Sequence, residues 1–138
     1  MNFGIVGTGL IADFHARAIG EIPGCKVAAC VDTIAERSEA FAKKYSCAGY
    51  ADLKEFLAHP GLEIVTICTP SGAHMETAVA AADAGKHLIV EKPIEITLPR
   101  IDAIIAACDR NNVGLAGVFM SDRKSTRLTS SPRIRSRM

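Results

Sequence analysis

The chain has 138 residues, 49% hydrophobic and 22% charged, which suits one α/β domain with a packed core and leaves little room for a second. Its formal net charge is +1, but residues 121–138 hold six of the 16 basic residues and one of the 15 acidic ones, leaving −4 on the first 120. That balance argues against nucleic acid as a partner, and no apolar run nears the roughly 18 residues of a membrane span.

Phe3, Ile5 and Val6 read as a short buried strand. Residues 4–12, Gly-Ile-Val-Gly-Thr-Gly-Leu-Ile-Ala, then place Gly7, Gly9 and Ala12 at the G-x-G-x-x-A spacing of a dinucleotide-binding turn. Gly7 allows the sharp exit from the strand, Gly9 admits a pyrophosphate to the backbone, and Ala12 lets the next helix sit close to the sheet. The N–H groups of that helix's first turn, around Thr8, Leu10 and Ile11, would face the phosphates. Leu10, Ile11, Phe14, Ala18 and Ile19 recur at helical spacing, and Pro23-Gly24 closes the helix. His15 and Arg17 are expected on its other, solvated faces.

Lys26 to Val31 reads as a second strand ending at Asp32, near the position where a carboxylate accepts hydrogen bonds from an adenosine ribose. The alternative is a helix-capping aspartate. Thr33 and Glu36 form a plausible capping box for the next helix, which would leave Asp32 free for the ribose. Arg37 would suit a 2′-phosphate, but a carboxylate at 32 repels one, so NAD is expected and NADP is the less favoured cofactor. Ile34, Phe41, Ala42 and Tyr45 line one side of the second helix.

Residues 47–50 allow only a short edge strand, and Asp52 with Glu55 repeats the capping pattern before a brief helix ending at Pro60-Gly61. His59 reads as a loop residue. Residues 64–68 are continuously apolar, as in a strand covered on both faces, and run into Thr69-Pro70-Ser71-Gly72. His74 follows in the first turn of an alanine-rich helix that Gly85 caps. His87 to Val90 is a fifth strand with Glu91-Lys92-Pro93 at its exit. Ile101, Ile104, Ile105 and Cys108 give an amphipathic helix, and residues 113–120 a sixth strand. Alternating strands and helices imply a doubly wound parallel sheet in the order 3-2-1-4-5-6, with ligands beyond the carboxyl ends of the strands. The five cysteines contain no C-x-x-C pair and read as buried, reduced thiols rather than metal ligands.

Together, residues 4–12, Thr69-Pro70 with His74, and Glu91-Lys92-Pro93 resemble the N-terminal Rossmann domain of the Gfo/Idh/MocA family of glucose-fructose oxidoreductases and inositol dehydrogenases. The resemblance implies an NAD(P)-dependent oxidoreductase acting on a sugar, cyclitol or related polyol, with Thr69, Pro70, His74, Glu91 and Lys92 beside the cofactor. It casts Lys92 as the residue near both nicotinamide and reacting hydroxyl. The family's Thr-Pro-Asn is Thr69-Pro70-Ser71 here. Family members continue into a second α/β domain that builds the substrate pocket and supplies the proton acceptor, and can form oligomers; this chain is expected to bind the dinucleotide without turning over a polyol. A non-catalytic NAD-binding module, or an NAD-dependent glycosidase of the same family, are the alternatives.

The domain is therefore placed at residues 1–120, and residues 121–138 are expected to be a disordered basic tail. Residues 122–131 resemble the in-frame translation of a short-read sequencing adapter, with Thr129 as a departure, which makes a gene fragment the expectation. The opening residues lack the basic region and cleavage site of a signal peptide, so a cytoplasmic location is expected.

Overall fold

The computed structural model describes residues 1–119. The expectation of a disordered tail lies outside them. Strands β1 (Asn2–Val6), β2 (Lys26–Val31), β3 (Ala48–Tyr50), β4 (Ile64–Ile67), β5 (His87–Val90) and β6 (Leu115–Gly117) form one six-stranded parallel sheet in the order β3-β2-β1-β4-β5-β6. Helices α1 (Leu10–Gly20), α2 (Ala35–Tyr45), α3 (Leu53–Leu57), α4 (His74–Asp83) and α5 (Leu98–Asn111) supply the crossovers. The fold is thus the doubly wound, Rossmann-type sheet that the alternation implies.

The strand pleat divides the core in two. Phe3 and Ile5 of β1 point to one face, where Ala12, Ala16 and Ile19 of α1 and Phe41 of α2 cover them. Val6, Val31, Val65 and Ile67 point to the other, against Phe56 of α3, Ala78, Ala81 and Ala82 of α4, and Ile104 and Ala107 of α5. Strands covered on both sides are mostly apolar, and β4 is buried along Val65, Ile67 and the one polar residue between them, Thr66. Gly4, between Phe3 and Ile5, is required by packing: a Cβ there would lie 2.5 Å from the Phe56 ring.

Three local readings need correction. On α1 the large apolar residues do not form the buried face: Leu10 is 73% exposed and Phe14 59%, with Ile11 and Ala18 also exposed, while the small Ala12 and Ala16 face the sheet with Ile19. Close approach of helix to strand selects small side chains there. On α2 the Thr33/Glu36 capping box is absent; the helix starts at Ala35, Ile34 is its exposed N-cap residue, and no side chain of the cap position bonds the first turn. β6 spans only Leu115–Gly117, shorter than expected.

Two other capping readings hold, whereas Ile105, read into the apolar face of α5, is 43% exposed. Asp52 caps α3 by accepting from the Glu55 N–H at 2.9 Å. Gly85, at φ +73°, ends α4, its N–H donating to the Ala82 carbonyl. Cys30 and Cys108 are buried, Cys25, Cys47 and Cys68 half-buried, and all five are free thiols. Among the described residues no helix is long and apolar enough to cross a membrane, and no cluster of His, Cys, Asp and Glu could hold a metal ion.

Candidate dinucleotide site

A cleft of about 660 Å³ runs along the carboxyl ends of the strands, within the range of roughly 300–1,000 Å³ usual for small-molecule sites. Gly7, Thr8, Gly9, Leu10 and Ile11 line it from the β1–α1 turn, Asp32 and Arg37 from beyond β2, Thr69 and Pro70 from beyond β4, and Glu91 and Lys92 from beyond β5. Chain order thus brings four separated stretches of sequence to one edge of the sheet, because all six strands are parallel and exit on the same side.

Gly7 has φ +84°, and a Cβ there would stand 3.0 Å from the backbone of Cys68 and Thr69. Its N–H donates to the Val31 carbonyl, so the turn is pinned to the neighbouring strand. Gly9 is the N-cap residue of α1 and offers no side-chain cap, leaving first-turn N–H groups directed at the cleft. An uncapped helix N-terminus with its partial positive charge suits an anion, and a pyrophosphate fits these glycines and N–H groups.

Asp32 is more occupied than its motif position suggests. Oδ2 accepts from the Thr8 N–H at 2.9 Å and the Thr8 hydroxyl at 2.8 Å, while Oδ1 accepts from the Ile34 N–H at 3.0 Å. The ribose and capping readings of this residue are therefore not exclusive: the carboxylate closes an Asx turn into α2 and ties it to the glycine turn. A carboxylate has about four lone-pair sites, so one remains for a ribose hydroxyl. Burial works to raise its pKa, but the Thr8 and Ile34 N–H groups, the Thr8 hydroxyl and the Arg37 charge outweigh it and hold the carboxyl below the usual range. The Arg37 Nε is 3.9 Å from Oδ2, with its guanidinium over Gly9.

His74 stands behind the cleft wall instead of on it. The residue is 1% exposed; Nε2 lies 2.8 Å from the Thr69 carbonyl oxygen, and Nδ1 2.9 Å and 3.1 Å from those of Pro93 and Ile94. Its ring therefore bridges the turn after β4 to the turn after β5, and it reaches the cleft only through their backbones. Beside it lies Glu95, which no sequence motif singles out. The Glu95 side chain is 0% exposed; Oε2 accepts from the His74 and Met75 N–H groups, Oε1 from the Ile96 N–H, and Arg100 approaches Oε2 at 3.3 Å. It caps α4, whose own N-cap residue Ala73 makes no such bond. Arg100 also bonds both carboxylate oxygens of Glu76 and the Gly72 carbonyl, so the loop after β4 is held from two sides.

At the β5 exit, His15 is not solvated as expected. Its Nε2 lies 2.7 Å from Glu91 Oε1, and Glu91 Oε2 accepts from the Lys92 N–H at 3.0 Å. Lys92 itself is exposed in the cleft. Burial pushes the nearby Cys68 thiol up to about 12, the Glu91 charge adding to the effect, so Cys68 is a neutral thiol near pH 7 and no nucleophile.

Asp13, Glu76 and Asp83 at the surface and Asp32, Glu91 and Glu95 around the cleft have lowered pKa values; in the last three, burial opposes the shift and hydrogen-bond donors outweigh it. The unfolded chain takes up protons first, near the reference values of about 3.9 for Asp and 4.3 for Glu. Their stabilising contribution is therefore complete above that range and is lost as pH falls through the lower folded values. Urea unfolding at a series of pH values should show stability falling as pH drops below about 4.3. A profile flat to pH 3 would mean these donors do not act on the carboxylates.

An α/β domain with a glycine turn, an uncapped helix N-terminus and an acidic residue beyond the second strand belongs to the dinucleotide-binding class. The family model described as an oxidoreductase family with an NAD-binding Rossmann fold, GFO_IDH_MocA, matches residues 1–118, and the chain belongs to that family. It is 33% identical over 114 residues to an inositol 2-dehydrogenase of Salmonella typhimurium, covering 80% of this chain and 34% of that one. It is 32% identical over 127 residues to an NADP-dependent scyllo-inositol 2-dehydrogenase of Bacillus subtilis, covering 91% of this chain and 38% of that one. Among solved structures, the WlbA dehydrogenase of Bordetella pertussis in complex with NADH and UDP-GlcNAcA superimposes with a TM-score of 0.81 at 29% identity, covering 86% of this chain and 34% of that one. The chain thus spans about a third of the length of these relatives.

Proposed function

We propose that the chain is the cofactor-binding domain of an NAD(P)-dependent dehydrogenase acting on a hydroxyl of a sugar, cyclitol or related polyol, and that NAD is preferred over NADP. The observation that carries the reading is the uncapped N-terminus of α1 opening on the same cleft as Asp32 and Lys92. The pyrophosphate would lie against residues 7–11, the adenosine ribose toward Asp32, and the nicotinamide, which accepts the hydride when bound, toward Thr69, Pro70 and Glu91. Lys92, exposed and beside that end, would orient and polarise the reacting hydroxyl. The inositol dehydrogenases and the sugar-nucleotide complex among the relatives support a polyol or sugar substrate. The opposite wall and the proton acceptor would come from the two thirds of those relatives that the chain does not span.

Cofactor preference follows from Asp32. A carboxylate accepts from a 2′-hydroxyl and repels a 2′-phosphate, whereas Arg37 offsets part of that charge from 3.9 Å. Calorimetric titration should show NAD binding about tenfold or more tighter than NADP, equivalent to roughly 1.4 kcal/mol. Asp32→Ser should narrow the difference. Tighter binding of NADP by the unmutated chain would reverse the assignment.

A further inference from the structure

We infer that His15 is a positioning residue: acting through Glu91, it ties the phosphate-facing helix α1 to the turn that presents Lys92, and so sets the nicotinamide end of the cleft. The inference rests on the dinucleotide reading above. In the sheet, β4 lies between β1 and β5, so α1 packs over β1 and β2 while Lys92 leaves from a strand two places away. The bond from His15 Nε2 to Glu91 Oε1, at 2.7 Å, spans that gap across 76 residues of sequence. Both side chains are mostly covered, His15 at 17% and Glu91 at 14% exposure, which distinguishes them from a solvated surface pair whose worth would be small.

Glu91 uses its two oxygens in different directions. Oε1 is held by His15, and Oε2 accepts from the Lys92 backbone N–H. The Glu91 N–H itself donates to the Ile67 carbonyl, fixing the residue to the end of β4. A carboxylate so held links the His15 ring to the first peptide of the exit turn. Glu91 and Lys92 line the cleft, whereas His15 does not, so its influence on a ligand passes through Glu91. Without His15, Glu91 is free to turn toward the cleft or toward the Lys92 ammonium, and the exit turn loses its link to the helix that holds the phosphates.

The test compares two ligands that probe different ends of the cleft. AMP reports the adenosine end near Asp32, and NADH reports both ends. For His15→Ala, NADH affinity should fall about tenfold, the equivalent of one lost hydrogen bond to a charged group, with AMP affinity unchanged within about twofold. His15→Gln, which retains a donor at the reach of Nε2, should restore most of the NADH affinity. Equal NADH affinity in His15→Ala and the unmutated chain overturns the inference, and so does a parallel loss of AMP binding, which would mark a general support of the fold. Failure of the unmutated chain to bind NADH would overturn the dinucleotide reading itself and this inference with it.

Discussion

Glu95→Ala is expected to lower the stability of the domain by about 3 kcal/mol or more, the largest effect of any single polar substitution here. The change removes a carboxylate with no exposed side-chain surface, and with it the acceptor for three backbone N–H groups and a partner of Arg100. The His74 and Met75 N–H groups at the start of α4 would lose their acceptor. An exposed cap costs about 1 kcal/mol when removed; burial is what raises the figure. Urea denaturation of the two proteins measures the difference directly, and a loss below about 1 kcal/mol would show that Arg100 and Glu76 hold the loop without it. Glu95→Gln should lie between the two, since its amide keeps one acceptor oxygen but turns an NH2 group toward a donor.

Gly7→Ala and Gly9→Ala should separate stability from binding. At Gly7 the φ of +84° is costly for any residue with a Cβ, and the new atom would press on the Cys68 and Thr69 backbone at 3.0 Å, which cannot move without disturbing the end of β4. Strain of this kind amounts to roughly 1–3 kcal/mol before the contact is counted, so a total of about 2–4 kcal/mol is expected, with loss of NADH binding. Gly9 has an ordinary φ of −78°, and its Cβ would meet only the flexible Arg37 guanidinium at 3.4 Å. Gly9→Ala should therefore leave the unfolding midpoint within a degree or two, as surface changes do, while weakening NADH because the methyl group occupies space a pyrophosphate needs. Equal loss of stability in both variants would contradict this division of labour.

The architecture was legible because its signals are local and repeated. Continuous apolar strands, glycine and proline between them, and the alternation with helical patterns define the sheet order without any long-range information, and Gly7 announces its turn by spacing alone. What escaped depends on which residues approach across the fold. Hydropathy makes Leu10 and Phe14 look like the inner face of α1, yet the helix turns Ala12, Ala16 and Ile19 toward β1 and leaves those two exposed. Thr33 and Glu36 match a capping pattern, but α2 starts one residue later, with Ile34 at its N-cap. Glu95 lies between Ile94 and Ile96 and matches no motif; only the folded chain shows that α4 begins against it. His15 and Glu91 could not be paired by any local rule. His74 was placed at the correct end of the sheet and on the wrong side of the wall, because position along a helix does not say which way a ring turns.

The bonds of Asp32 to the Thr8 and Ile34 N–H groups have a consequence for the entropy of ligand capture. The glycine turn and the entry to α2 are joined by a shared carboxylate of the chain itself. Loops that are ordered only on binding subtract their lost freedom, about 1–2 kcal/mol for each residue fixed, from the affinity. Here that loss has been incurred during folding. A dinucleotide entering the cleft exchanges its own hydration and torsional freedom for contacts with walls that are already fixed, so its affinity should reflect the quality of those contacts with little deduction for rearranging the protein.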